Sequence, residues 1–250
     1  MNDAGPCRFL AWDSEFFGLR IARCERSPRD AGELAHVLAW CREQSIECLY
    51  ALTPADDAAA VRVLEDGEFR LVDVRMTYEA GVERDDARSM RSSSREIRVA
   101  RESDVSALRA IASESHTDSR FYADGRFDRA RCGELYATWI EKSVRGWADV
   151  VLVAEHRANV AGYITCHARD SAPGEIGLVG VASAAQGQGL GRALVESALR
   201  WLAEHGIERA SVVTQARNVA AQRLYQRSGF RTSAVELWHH HWFNDSRARA

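Results

Sequence analysis

Residues 176–192, IGLVGVASAAQGQGLGR, constrain this chain more than any other stretch. A short apolar run from Ile176 to Ala182 reads as a strand, Gly187, Gly189 and Gly191 make a tight loop, and a helix follows. Glycines in such a loop let backbone come close to a ligand, and the first turn of the helix offers unpaired N–H groups to an anion. The stretch is therefore a candidate pyrophosphate cradle. A nucleotide loop of the GxxxxGK[ST] type needs Lys and then Ser or Thr, and Leu190-Gly191-Arg192 supplies neither. A dinucleotide fingerprint needs G-x-G-x-x-G with an acidic residue closing the next strand. Here the glycines run G-x-G-x-G, and the next strand, Ala210 to Thr214, is followed by Gln215. Both nucleotide readings fail.

The totals narrow the field further. At 250 residues, one large domain or two small ones can be built. A formal charge of -3 gives no reason to expect nucleic acid or an anionic membrane as the main partner. Lys142 is the only lysine, so Schiff-base chemistry would rest on it alone. The six cysteines include no CxxC pair, which removes the usual zinc spacing and leaves no metal to expect. No run approaches the ~18 apolar residues of a membrane span. The N-terminal residues lack a basic region followed by a long apolar one. A cytoplasmic protein with reduced thiols is expected.

Along the chain, residues 7–25 give two strand-like runs around a turn at Trp12–Gly18. Helical spacing covers 30–44, a β-rich run covers 46–52, and Pro54 is expected to open a second helix that Gly67 caps. Phe69 to Glu79 alternates as a half-buried strand. These elements predict a small α/β domain over 1–80, followed by a polar linker over 81–94. From 95 to 250 the order is a strand, two helices with an irregular stretch at 115–127 between them, and an antiparallel meander turning at Arg157-Ala158-Asn159. A helix at 190–204, a strand at 209–214, a short helix at 218–228 and a last strand complete it.

The pattern Gln186-x-x-Gly189-x-Gly191 resembles the acetyl-CoA loop of the GNAT acetyltransferase superfamily, and the element order from 95 onward is similar to its fold. Asn218, Ala221, Tyr225 and Gly229-Phe230 add the N-x-x-A-x-x-x-Y-x-x-x-G-F pattern that follows this loop in GNAT proteins. The class implied is α/β (α+β): a GNAT fold with a mixed central sheet, preceded by a smaller α/β N-terminal domain. The resemblance implies that Val179 and Val181 align the pantetheine arm. It implies that backbone N–H groups of Gln186, Gly187, Gln188, Gly189, Leu190, Gly191 and Arg192 hold the pyrophosphate. Asn218, the N-cap of its helix, would contact the arm or order that helix. Tyr225 would protonate the leaving thiolate, for which a phenol of pKa ~10 is a suitable donor.

Further segments resemble one branch, the TDP-fucosamine acetyltransferases: Phe16-Phe17-Gly18, Phe69-x-Leu71-Val72-Asp73, Ser119-Arg120-Phe121, Trp139-Ile140-Glu141 and Val213-Thr214-Gln215. That branch transfers acetyl from acetyl-CoA to the amino group of a TDP-linked amino-deoxy sugar. By this resemblance Asp73 draws the amine proton away through water and Arg120 pairs with the substrate's diphosphate. A small-molecule amine is then the partner, and a homodimer is compatible with the sequence. Two other readings stand beside it: a GNAT acting on a protein N-terminus or free amine, and a silent acyl-CoA-binding module. His239-His240-His241 lies on a strand, so only His239 and His241 share a face, and packing suits them better than a metal.

Overall fold

A computed structural model describes residues 5–82, 97–168 and 173–243. Its contacts divide the chain into two compact units. The first takes in Met1–Arg75, Asp118–Arg131 and Ala234–Ala250, and the second Met76–Thr117 and Cys132–Ser233. The segments 118–131 and 234–243 thus belong with the N-terminal residues. Most of the expected linker, residues 83–94, lies outside the described residues.

In the first unit, β1 (Cys7–Phe9) pairs antiparallel with β2 (Ile21–Cys24), and β2 runs parallel to β3 (Cys48–Pro54). β10 (Arg231–Trp242) adds antiparallel to β3, with Trp238 opposite Leu52 and His240 opposite Tyr50. The strand period of two then places Trp238, His240 and Trp242 on the Tyr50 face, and His239 and His241 on the other. α2 (Ala31–Glu43), capped by the Asp30 side chain, and α3 (Ala58–Asp66), capped by that of Asp57, contribute Val37, Cys41 and Leu64 to a core with Ala22, Leu49 and Phe69.

Two local expectations need correction here, and a third holds with a different geometry. Trp12–Phe17 is not a turn but lies within a short helix, α1 (Ala11–Phe17), which Gly18 ends at φ 64°. Pro54 closes β3 and does not open the helix, since Asp57 supplies the cap three residues later. Gly67 is the C-cap of α3, as expected, at an ordinary φ of -84°, and Glu68 takes the left-handed turn at 58°. Gly67 is required for space, because a Cβ there would lie 2.7 Å from Leu34 Cδ2.

The second unit is built on β5 (Ile97–Val99), β6 (Val150–His156), β7 (Asn159–His167) and β8 (Gly174–Val181), paired antiparallel in that order. β9 (Arg209–Gln215) then joins β8 in parallel, so the sheet is mixed, as expected. The β6–β7 turn places Arg157 and Ala158 at φ 52° and 62°, the paired left-handed geometry of a two-residue hairpin. α4 (Val105–Ser115), α6 (Arg129–Lys142), α7 (Leu190–Glu204) and α8 (Val219–Arg227) are the helices expected from the periodicity. Leu190, Leu194, Ala198 and Leu202 of α7 pack on Leu152, Ile164, Ile176 and Val212 of the sheet. The stretch 115–127 is more ordered than its sequence suggests, since Arg120–Asp124 form a helical turn, α5. Among the described residues, no helix is long and apolar enough to cross a membrane.

Candidate active site

The strand pair β8–β9 opens along its length. Their parallel register covers Gly174–Ile176 against Ala210–Val212, whereas β8 continues to Val181 and β9 to Gln215. A bulge marks the change. On the β7 side Ile164 faces Val179 and Cys166 faces Ile176, so Gly177 and Leu178 together oppose Thr165. The Leu178 N–H donates to Thr165 Oγ1 at 2.8 Å, so a side chain replaces the ladder bond that the bulge removes. Beyond it, Gly180 lies under Tyr163, where a Cβ would come within 2.6 Å of the ring. Tyr163 is held in turn by His116, whose Nε2 is 2.9 Å from the phenol oxygen, and His116 stacks on Tyr136. Val179 and Val181 are half-buried on the open part of β8.

The glycine loop follows directly. A single 3-10 turn, Ser183–Ala185, leads into Gln186, whose side-chain amide donates back to the Val181 carbonyl at 3.2 Å. Gly187 and Gly189 have φ of 73° and 76°, a region that β-carbons disfavour, and Gly189 caps α7. Leu190 is buried and anchors the first turn, while Gln188 donates to the Ala184 carbonyl at 3.5 Å. Gly191 faces Leu224, and a Cβ there would stand 3.3 Å from Cδ2, so its small size sets how closely α7 approaches α8. The loop lacks side-chain bulk and ends in the free N–H groups of a four-turn helix, which fits an anionic ligand such as pyrophosphate. Arg192 pairs with Glu196 one turn on, and the pair is exposed enough to give little stability.

α8 frames the opposite side. Asn218 caps it by accepting from the Ala221 N–H at 3.0 Å, as its spacing predicts. Gln222 donates to the carbonyls of Gln215 and Ala216 and accepts from the Tyr78 hydroxyl, which ties the end of β9 to the helix. Tyr225 is 4% exposed, with its ring 6.1 Å from that of Tyr78 and 5.9 Å from that of Phe230. Burial pushes its phenol pKa up, so the group stays protonated at neutral pH. Among the described residues its hydroxyl has no hydrogen-bond partner, which leaves the proton available to a ligand.

Arg120 and Asp73 belong to the first unit. Asp73 is 3% exposed on β4 (Arg70–Gly81), and one carboxylate oxygen accepts from the Val74 N–H. The Arg120 guanidinium lies over three rings, 4.2 Å from Phe121, 4.3 Å from Trp238 and 4.9 Å from Tyr50. Its Nε is buried without a hydrogen-bond partner. Tyr50 is fixed by stacking on His240, whose Nδ1 bonds to Asp124, and Asp124 also accepts from Trp242 Nε1 at 3.1 Å. Burial pushes His240 down to about 4, outweighing the pull of Asp124, so the imidazole is neutral. His241 packs against Phe69 on the opposite face. Among the described residues, no group of three or more His, Cys, Asp or Glu side chains is placed to hold a metal.

The sequence placed the glycine loop, the Asn218 cap and the helix that carries Tyr225 where the structure has them. It missed Thr165, Tyr163 and His116, which act through a bulge and a ring contact that no local motif encodes. Asp124 and Tyr50 escaped it for the same reason.

Residues 107–230 match the acetyltransferase (GNAT) family. The dTDP-fucosamine acetyltransferase of Escherichia coli O6:H1 is 29% identical over 92% of this chain and 95% of its own length. The spore coat polysaccharide biosynthesis protein SpsD of Bacillus subtilis is 28% identical over 56% of this chain and 48% of its own. Among solved structures, the GCN5-related N-acetyltransferase from Kribbella flavida has a TM-score of 0.65 at 16% identity, covering 98% of this chain and 90% of that one. That last likeness is one of fold. The parted strands, the glycine loop and the capped α8 all fall inside the matched residues, and the chain carries an acetyltransferase domain of the GNAT family.

Proposed function

We propose that the protein transfers acetyl from acetyl-CoA to the amino group of a nucleotide-linked amino-deoxy sugar, directly, with both substrates bound. The parting of β8 from β9 beyond Ile176 and Val212 is the observation that carries the reading. It leaves strand backbone free beside a glycine loop and a helix N-terminus, which suits a ligand with an extended amide-bearing arm and a pyrophosphate.

In this reading Val179 and Val181 pair with the pantetheine amides, and the backbone from Gln186 to Arg192 receives the pyrophosphate. The Val181 N–H polarises the thioester carbonyl. Tyr225 gives its proton to sulfur as the C–S bond breaks, while the amine nitrogen forms the new C–N bond. Asp73 takes the amine proton through water, because an ammonium has no lone pair with which to attack. Much of the rate gain comes from holding two reactants in line. Asn218 acts through its cap, by fixing the start of the helix that carries Tyr225.

The sugar-nucleotide acceptor is supported by the likeness to the Escherichia coli enzyme, which extends through the N-terminal residues as well as the GNAT residues. The two-domain division, 1–80 and 95–250, is part of the same proposal. The test is thiol release from acetyl-CoA against TDP-4-amino-4,6-dideoxy sugars, the same sugars without nucleotide, an aminoglycoside and short peptides. Turnover that requires the TDP group supports the reading. Turnover of peptides or free amines alone discards the acceptor.

A further inference from the structure

The first unit gathers Cys7, Cys24 and Cys41, all of them free thiols, in one stretch of core. Cys7 on β1 stands directly opposite Cys24 on β2 in the antiparallel ladder. The Leu10 N–H donates to the Ile21 carbonyl at 2.9 Å, and the Glu25 N–H to the Pro6 carbonyl at 3.1 Å. Bonded and unbonded pairs alternate along such a ladder, so Cys7 and Cys24, one step from Pro6 and Glu25, form an unbonded pair. At that position the Cα atoms are about 4.5 Å apart and the two side chains lie close on one face. That face is the buried one, where Cys41 of α2 joins Ala22, Val37 and Leu49.

A buried thiol by itself packs as a small apolar side chain. Two thiols facing each other at an unbonded cross-strand position also meet the Cα separation of a disulfide, about 4.4–6.8 Å. Cys48 of β3 does not compete, because it is one residue out of step with Leu49 and points to the other face of the sheet. The hydrogen bond with Cys24 holds the Cys7 pKa up, and the one with Cys7 does the same for Cys41. These thiols are therefore protonated and unreactive while the core is closed. Access comes from β1 itself. It is three residues long and, among the described residues, has β2 as its one neighbour in the sheet. Short edge elements near a chain terminus open at little cost in free energy.

We propose that Cys7 and Cys24 are a redox-active pair, oxidised by a low-molecular-weight disulfide of the glutathione type to a cross-strand bond that fastens β1 to β2. When β1 lifts, the Cys7 thiol gives up its proton and its sulfur attacks the small disulfide. One half of that disulfide leaves as a thiolate and takes up a proton, and the other half stays on Cys7 as a mixed disulfide. As β1 returns, the Cys24 sulfur attacks the Cys7 sulfur and expels the second thiol. Two S–H bonds are lost, one S–S bond forms between the cysteines, and the oxidant is reduced to two thiols. The new bond closes the loop that carries α1, so the edge strand no longer opens. Excess thiol reverses it. The pair lies within one unit and is independent of the acetyl-transfer reading.

The experiment incubates the folded, full-length protein with oxidised glutathione, quenches in acid, and blocks the remaining thiols with N-ethylmaleimide in denaturant. Peptide mass spectrometry then maps the disulfides. A Cys7–Cys24 link is expected, in a protein lighter by two hydrogens before blocking. The oxidised protein should melt about 5 °C higher, and dithiothreitol should abolish the gain. Cys48→Ala should form the bond as the wild type does. Cys24→Ala, which removes the thiol and keeps an apolar side chain, should lose both the link and the gain in Tm. The wild-type map decides the pairing even where a variant fails to fold. Six blocked thiols after prolonged incubation, a glutathione adduct without a link, or a link to any other cysteine overturns the proposal. So does a link that forms only in denaturant, or one that leaves Tm unchanged.

Discussion

Thr165 Oγ1 accepts the Leu178 N–H at 2.8 Å, across the bulge at which β8 leaves the register it keeps with β7. The contact joins a side chain to the backbone at the start of the open stretch of β8. Thr165→Val keeps the shape and removes the acceptor, so it should cost about 1 kcal/mol of stability. It should also raise the KM for acetyl-CoA, because the strand beyond the bulge loses its anchor. Thr165→Ser should restore both. Thermal melts and steady-state kinetics on the pair check this.

Tyr225→Phe should leave the packing against Tyr78 and Phe230 intact. With no proton for the departing sulfur, kcat should fall about 100-fold while acetyl-CoA binding is kept. Calorimetric titration of CoA beside single-turnover rates separates the two. A variant with full kcat would end the catalytic assignment.

Gly180→Ala should be poorly tolerated, since its Cβ would stand 2.6 Å from Tyr163 Cε1. The ring cannot step aside without breaking its bond to His116. A loss of about 1–3 kcal/mol is expected from overpacking, read as a lower urea midpoint. Gly187→Ala, where nothing lies within 4 Å but φ is 73°, should instead lose affinity for CoA.

Acid should destabilise the protein well above the carboxylate range. Burial alone pushes His116 down to about 4, and burial also pushes His240 to about 4 against the opposing pull of Asp124. An unfolded histidine titrates near 6.5, so from about pH 6.5 down to about 4 the unfolded chain binds more protons than the folded one. Stability should therefore fall with pH through that window, by up to about 1.4 kcal/mol per pH unit for each histidine. Above pH 7 the effect is absent. His116→Phe keeps a ring for stacking on Tyr136 and should flatten the slope by one proton. Urea midpoints at pH 7.5 and 5.0 for both proteins check this.

What the sequence determined by itself was local. Gly187 and Gly189 announce a left-handed loop because few other residues adopt that φ, and Asn218 announces a helix start because its side chain caps the N–H three residues on. The periodicity of 190–204 was enough for α7, since one buried face repeats every 3.6 residues. Short elements were misread where propensity is weak: Trp12–Phe17 and Arg120–Asp124 are helical because aromatic packing holds them, as in the contacts of Phe17 with Phe121 and Phe127. Only the tertiary structure decided where β8 parts from β9, because that depends on a register shift against β7. It alone brought Tyr50, Arg120 and Trp238 into one cluster. Those residues come from β3, α5 and β10, and no spacing along the chain encodes contacts that exist only once the strands have paired.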